Sequence, residues 1–427
     1  MTAISPAQRR TALVLGLLLL FAACSLPWVG LWRPGGVADT GLYGLYGRNV
    51  VDGLVPYRDF YLEFPPGALP ALVLPALPGS HYVAWFHVLE FLFACGTVAC
   101  LVLIASRVAP SPRRLYAAVA LAAVAPAFLG PITLNSFDFW PTLLTTASVA
   151  TLLAGHRRSG FALLGAATAA KLFPAGLIAV ALLYVLRRDR RSGWWDVLAV
   201  YVGTVLLIFA PFAVLGPGGL RFSLRTQLDR GLQLESLGAS FFTVAHHLGA
   251  YRPSYTPNLP YAQLAGPVAA AVADLSSVAV IGAIVLVAWA YARTRDDGAT
   301  AFVLAVTATL VGIVTFAKVL SPQYLVWLVP LVAAVSSRAR LAGVLMVAAL
   351  ALTQVWVPDR FRGLQAMDWV TWVLLARNLL LVALFAVLVA ELRARARAAA
   401  GAATPEARRA PRPWRRPATP AAPDRTA

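Results

Sequence analysis

Long apolar runs recur through this chain, and no other feature restricts its fold as much. A run of about 18 or more such residues is long enough to cross the hydrocarbon of a bilayer as a helix. Each such run reads as a transmembrane helix candidate. The chain's 427 residues are 59% hydrophobic and 13% charged, against about a quarter charged in an ordinary soluble domain. The expected fold class is an all-α polytopic membrane protein with one transmembrane domain over residues 1–392.

Charge sets the expected sidedness. The net charge of +18 could suggest nucleic acid, but the arginines sit in short clusters between apolar runs, as the positive-inside rule demands. No nucleic-acid partner is expected; the bilayer is. Arg9 and Arg10 precede a first run at 11–32. Phe21-Ala22-Ala23-Cys24 loosely resembles a lipoprotein cleavage box, but Phe21 stands where an aliphatic residue belongs, so an uncleaved first span is expected. Further spans read as 81–105, 115–133, 138–155, 194–215, 264–292, 299–317, 323–337, 341–357 and 369–390. The run 160–186 begins after His156-Arg157-Arg158 and ends at the basic cluster 187–191. At about 40 Å of helix it is too short for two full crossings, and one crossing would put that cluster on the wrong side. A pair of short helices broken near Lys171 and Pro174 resolves the conflict. Counting that pair as two gives about 12 segments and two cytoplasmic termini. The basic, Pro/Ala-rich stretch 393–427 reads as a disordered cytoplasmic tail near anionic lipid. Cys24, Cys95 and Cys100 lie inside apolar runs without metal-ligand spacing, so neither a disulfide framework nor a zinc site is expected.

Polar residues concentrate in two long segments on the side opposite the arginine clusters, 33–80 and 216–262. The first holds Asp39, Asp52, Tyr57, Arg58, Asp59 and Glu63; the second holds Arg221, Arg225, Asp229, Arg230, Gln233, Glu235, His246 and His247. Asp138 follows Asn135 at a span junction, and Gln323 lies in a turn after Lys318. Asp39 comes just after the first span and a Pro-Gly-Gly. A carboxylate there can take a proton from a hydroxyl if its pKa is tuned, or it can cap the helix that follows. Asp59 and Glu63 can face a substrate or form a loop salt bridge with Arg58; Asp138 can bind or cap. Adjacent histidines cannot both face one ion on a helix, and no metal-binding motif is present, so no metal or other cofactor is expected. The only lysines are Lys171 and Lys318. An ionisable group inside a membrane is functional by default, although a long side chain can also reach the interface.

Five stretches together resemble family 87 glycosyltransferases: VPYRDFYLEFPPG (55–67), LNSFDFWP (134–141), AAKLFPAGL (169–177), DRGLQLESLGAS (229–240) and LSPQYLVWLVP (320–330). These are polyprenyl-phosphate-mannose-dependent α-mannosyltransferases of the GT-C superfamily. The resemblance implies a GT-C-type multi-span bundle at the plasma membrane, working on its external face, with Asp39 as catalytic base. It implies a polyprenyl-phosphate-linked sugar as donor, a glycolipid or glycan of the cell envelope as acceptor, and inverting, metal-independent transfer. Many GT-C relatives carry an acidic pair at that position; here Thr40 follows Asp39. Candidate cations for the donor phosphate are Lys318, Lys171, Arg225 and Arg230. Candidates for sugar and acceptor are Tyr57, Arg58, Asp59, Glu63, Asp138, Gln233, Glu235, His246 and Gln323. A secondary transporter or lipid flippase is the alternative, but it would place its ionisable residues near the midplane of paired broken helices, usually in internal repeats, whereas here there is one broken pair, no visible repeat, and polar residues gathered in the external segments. A non-catalytic envelope scaffold would need none of these groups.

Overall fold

The computed structural model describes residues 4–32, 39–188, 193–256, 262–294, 298–357 and 360–401. Helix α1 (Pro6–Cys24) opens on a capping box. The Ser5 hydroxyl accepts from the Gln8 amide at 3.2 Å, and the Gln8 side chain accepts from the Ser5 amide at 2.9 Å. The helix stops before Leu26-Pro27, since proline has no amide hydrogen and disfavours helical backbone in the residue before it. The first span therefore starts and ends earlier than the apolar run at 11–32.

Next come α2 (Asp39–Val51), α3 (Leu69–Val73), α4 (Tyr82–Val108), α5 (Pro112–Leu129), α6 (Phe139–Leu153), α7 (Arg157–Ala170), α8 (Ile178–Arg188), α9 (Trp194–Leu215) and α10 (Pro217–Leu228). Strand β1 (Leu232–Gln233), α11 (Leu237–His247) and strand β2 (Gln263–Leu264) follow, then α12 (Pro267–Arg293), α13 (Ala299–Phe316), α14 (Leu325–Ser336), α15 (Arg340–Trp356), α16 (Phe361–Gln365) and α17 (Val370–Gly401). Among the described residues seven helices are long and apolar enough to cross a membrane: α1, α4, α5 with its extension to Thr133, α9, α12, α13 and α17. Helices α6, α14 and α15 are apolar but shorter. The protein is thus an all-α multi-pass membrane protein. Its shorter helices are held by packing: every residue of α14 from Leu325 to Val335 is buried in protein. By contrast α9 exposes Leu206, Leu207 and Val214, and α12 exposes Leu275, Val278 and Ile281, apolar flanks suited to hydrocarbon.

The helices define two ends. At one end arginines close helix termini. Arg107 donates to the Leu153 carbonyl at 3.2 Å, Arg338 to Val108 at 2.7 Å, and Arg187 to Ala292 and Thr294 at 2.6 Å each. Arg157 and Arg158 pair with Asp196 at 3.2 Å. Cations suit helix C-termini, where carbonyls lack helical partners and the dipole is negative. The other ends of these helices carry α2, α3, α10, α11 and the short sheet.

The chain breaks at Lys171. Helix α7 ends at Ala170, Lys171 is extended (φ −158°, ψ 136°), and a 3-10 turn over Phe173–Leu177 leads into α8. Arg157 at the start of α7 and Arg187 at the end of α8 both bond at the basic end, so the segment goes in and comes back. Gly67 makes the close approach on which this region depends. A Cβ there would lie 2.5 Å from the Ala169 carbonyl carbon, so only glycine lets the Pro65-Pro66-Gly67 turn seat against the end of α7.

The two polar segments expected as loops are folded. Gly47 of α2 packs on the stretch around Leu72, and Tyr82 donates to the Leu72 carbonyl at 3.0 Å. Strand β1 pairs antiparallel with β2, Leu232 opposite Leu264. Helix α17 continues to Gly401, so residues 393–401 of the expected tail are helical. Alanine and arginine favour helix, and Arg395 reaches back to Glu391 at 3.2 Å. Residues 402–427 lie outside the described set.

Candidate active site

The centre of the site is an ion pair between two segments far apart in sequence. Lys171 Nζ lies 2.5 Å from Asp138 Oδ1, and the same oxygen accepts the Trp327 indole N–H at 2.6 Å. The Asp138 side chain is 1% exposed and that of Lys171 16%, so the ammonium points into protein instead of reaching for an interface. Three rings surround it: Phe137 at 4.7 Å, Trp327 at 5.0 Å and Tyr324 at 5.1 Å. Their π faces stabilise a cation that water reaches poorly. Phe173, Trp327 and Tyr324 stack in a column, with centroids 3.9 and 4.1 Å apart. Asp138 immediately precedes α6 but makes no side-chain capping bond there, so its role is the ion pair.

Buried polar groups on α4 fix the segment that carries Asp138. His87 bridges the Gly30 carbonyl at 3.2 Å and Asn135 Oδ1 at 3.1 Å; Asn135 in turn donates to the Pro131 carbonyl at 2.8 Å. Glu90 accepts the Phe139 amide at 3.1 Å, satisfying a free N–H in the first turn of α6. Trp140 donates to the Gly67 carbonyl at 2.9 Å, tying the junction to the glycine turn.

Asp39 stands in the first turn of α2; the Pro-Gly-Gly before it lies outside the described residues. Its neighbour Tyr43 forms an aromatic wall with Phe64, Phe86 and Phe137, at centroid distances of 5.7, 5.5 and 5.6 Å. The Asp39 side chain keeps access to solvent, yet the protein around it strips much of its hydration. That desolvation is the main cause raising its pKa above the ordinary 3.8. The negative charges of Glu63 and Asp138 push the same way, while Lys171 and a hydrogen bond from Tyr43 oppose them. A raised carboxylate pKa makes a stronger proton acceptor.

A strap from the second polar segment closes the site. Arg230 forms a partly buried ion pair with Glu63, and the Glu63 carbonyl accepts Ser223 Oγ at 2.9 Å and Gln227 Nε2 at 3.0 Å. Glu63 therefore pairs with Arg230 and not with the adjacent Arg58. The Gln233 amide donates to the Lys318 carbonyl at 2.9 Å, and its side chain reaches Ser321 Oγ at 3.2 Å. Lys318 Nζ donates to the Leu228 carbonyl at 2.7 Å. Glu235 is buried; burial pushes its carboxyl up to about 7, with Arg377 and hydrogen bonds acting against the shift.

Several expected residues fall elsewhere. Tyr57 is buried at φ 67° and donates to the Phe64 carbonyl at 2.5 Å, which shapes its turn. Arg58 and Asp59 pair at 2.8 Å on the surface, and Asp59 also accepts the Val55 amide at 2.7 Å; these contacts hold its carboxyl down at about 2. Arg225 is exposed on α10, and Gln323 is half-buried in the turn before α14. His246 faces the Tyr251 carbonyl at 3.0 Å, while His247 faces Thr371 at 2.9 Å, so the two rings diverge. Among the described residues no three His, Cys, Asp or Glu side chains gather as a ligand set. The sequence reading assigned no role to Tyr324, Trp327, Glu90, His87 or Arg377. For Glu90, His87 and Arg377 a signal existed: an ionisable side chain inside an apolar run.

Fold and site define a multi-pass helical membrane protein whose carboxylates, cations and aromatic faces meet at the end opposite its basic termini. All five of the quoted sequence stretches supply that meeting point. The model of glycosyltransferase family 87 matches residues 61–322, more than half of the chain. The chain belongs to glycosyltransferase family 87 and is a multi-pass membrane glycosyltransferase, which implies a lipid bilayer, a glycosyl donor and an acceptor. No curated protein matches it. The matched range holds Glu63, Asp138, Lys171, Arg230 and Lys318, whereas Asp39, Tyr324 and Trp327 join them through the fold alone.

Proposed function

We propose that this protein transfers a sugar, mannose by family resemblance, from a polyprenyl-phosphate donor to a hydroxyl of a cell-envelope glycolipid or glycan. The acceptor oxygen attacks the anomeric carbon, its proton passes to Asp39, and the bond from that carbon to the phosphate oxygen breaks with its electron pair on the phosphate. Attack opposite the leaving group inverts the anomeric centre. No metal enters the scheme, because fixed cations offset the phosphate charge. Lys318 is the first candidate, since its ammonium meets only a carbonyl among the described residues, whereas Lys171 and Arg230 each face a carboxylate. Preorganised cations act strongly in a site that excludes water. The arginine-rich termini support an external site at the plasma membrane, with the basic end and both chain termini in the cytoplasm.

The observation that carries the proposal is the family match over residues 61–322, with the Asp138–Lys171 and Glu63–Arg230 pairs inside it and Asp39, in the first turn of α2, within electrostatic reach of Glu63, Lys171 and Asp138. The test is transfer by the protein in proteoliposomes supplied with polyprenyl-phosphate mannose. Asp39→Asn removes the acceptor of the proton while keeping shape, and general-base catalysis contributes about 10²- to 10⁴-fold. The variant should fold and bind donor but transfer at least about 100-fold more slowly. A fully active Asp39→Asn protein would remove Asp39 from the mechanism.

A further inference from the structure

Arg377 lies within the last apolar helix, α17, with its side chain fully buried. A charged side chain in that position costs several kcal/mol of desolvation unless partners compensate. Its Nη2 donates to the Glu235 carbonyl at 3.2 Å, and its guanidinium carbon is 5.7 Å from the Trp356 ring. Nε and Nη1 have no hydrogen-bond partner among the described residues. The next residue, Asn378, donates to the same carbonyl at 3.3 Å and to Ser240 Oγ at 2.9 Å. Two adjacent side chains of α17 therefore converge on one backbone oxygen.

That oxygen belongs to the turn where β1 passes into α11. Ser236 Oγ caps α11 by accepting the Ala239 amide at 3.2 Å. Upstream on the same strap, Gln233 holds Lys318 and Ser321, and Arg230 holds Glu63. Helix α17 thus reaches the strap at the Glu235 turn, three residues after β1 begins.

We propose that Arg377, with Asn378 beside it, is a positioning residue for sugar transfer, clamping the Glu235 turn so that Arg230, Gln233 and Lys318 stand at fixed places around the donor. The clamp rests on the proposed reaction, but its geometry can be tested without it. A neutral amide already reaches the carbonyl from Asn378, so hydrogen bonding alone does not call for a buried cation. The guanidinium adds a second bond to that carbonyl, and its charge acts on the buried Glu235 carboxyl of the same turn, so the turn is fixed at its backbone oxygen.

The experiment compares wild type with Arg377→Met, Arg377→Lys and the double variant Arg377→Met/Glu235→Gln, all as full chains in detergent. Hydrogen exchange of amides 230–236 should quicken at least about tenfold in Arg377→Met, the factor for about 1.4 kcal/mol from losing one charged hydrogen bond. In proteoliposomes the same variant should raise the donor KM by about tenfold with a smaller change in kcat. Arg377→Lys should recover much of the KM. The double variant should recover thermal stability, because it no longer buries an unbalanced carboxyl, yet keep the high donor KM. Unchanged exchange at 230–236 in Arg377→Met overturns the clamp, as does a KM that returns together with stability in the double variant. Wild type that transfers nothing from polyprenyl-phosphate mannose sinks the proposed reaction, while the exchange result still decides the clamp.

Discussion

Lys171→Met and Asp138→Asn form a cycle that tests the centre of the site. Lys171→Met leaves a carboxylate that is 1% exposed, with Trp327 as its remaining donor and Oδ2 unpartnered. Stranding one member of a buried pair costs about 3–5 kcal/mol, and the 16% exposure of Lys171 lets some water reach the gap, which places the expectation near 3 kcal/mol. Asp138→Asn is milder. The ammonium keeps the Phe137, Trp327 and Tyr324 faces, worth about 0.5–2 kcal/mol between them, and the asparagine oxygen can still accept from Trp327. A loss of about 1–2 kcal/mol is expected there. The double variant removes both charges, so it should cost about 2 kcal/mol less than the sum of the singles. Reversible unfolding of the purified proteins in mixed micelles measures all four corners. Additivity within about 0.5 kcal/mol would show two independent side chains and refute the ion pair as an organising element.

Three further outcomes are expected. Lys318→Ala should raise the donor KM in proteoliposomes while costing about 1 kcal/mol in detergent unfolding, the worth of its bond to the Leu228 carbonyl; normal donor kinetics would move the phosphate to Lys171 or Arg230. Glu235 has its carboxyl raised from 4.5 to about 7. Between those values the folded state holds a proton that the unfolded state has lost, so this group's stabilising contribution is full below pH 4.5 and falls as pH rises through 7. Glu235→Gln should flatten that slope, and an unaltered slope would place its origin elsewhere. Single cysteines placed in 40–60 or 220–256 should react with an impermeant reagent from outside, whereas cysteine at position 188 should not; labelling at 188 would reverse the sidedness.

The helices were legible because apolar length is a property of single runs. The break at Lys171 was legible too, since a lone lysine, Pro174 and misplaced basic residues conflict with one straight crossing. The partner of Lys171 was not. Asp138 lies at a helix start, where capping explains an aspartate equally well, and nothing local links positions 33 residues apart. Glu63 misled through proximity: Arg58 is near in sequence, but Asp59 occupies it, and Arg230 arrives from across the fold. Arg377 carries the signal of an ionisable side chain in an apolar run, but its role depends on which carbonyl faces it, and that only the fold decides. The stacked column of Phe173, Trp327 and Tyr324 is likewise a product of packing, since aromatic residues in apolar runs are common enough to carry no signal alone.

The Asp138–Lys171 pair also has a direction. Asp138 stands at the amino end of α6 and bonds Trp327 in the first turn of α14, while Lys171 stands at the carboxyl end of α7. Amino ends of helices carry positive partial charge and carboxyl ends negative, each worth about 0.3–1 kcal/mol to a matching side chain and up to about 2 kcal/mol where partly buried. Exchanging the residues, lysine at 138 and aspartate at 171, would keep a salt bridge of the same length but set both charges against the helices that hold them. The pair therefore works as a key with one orientation. A chain in which those two positions traded residues would have to reverse the polarity of two helices to keep the same centre, which is why the order acid first, base second is built into the backbone and not only into the side chains.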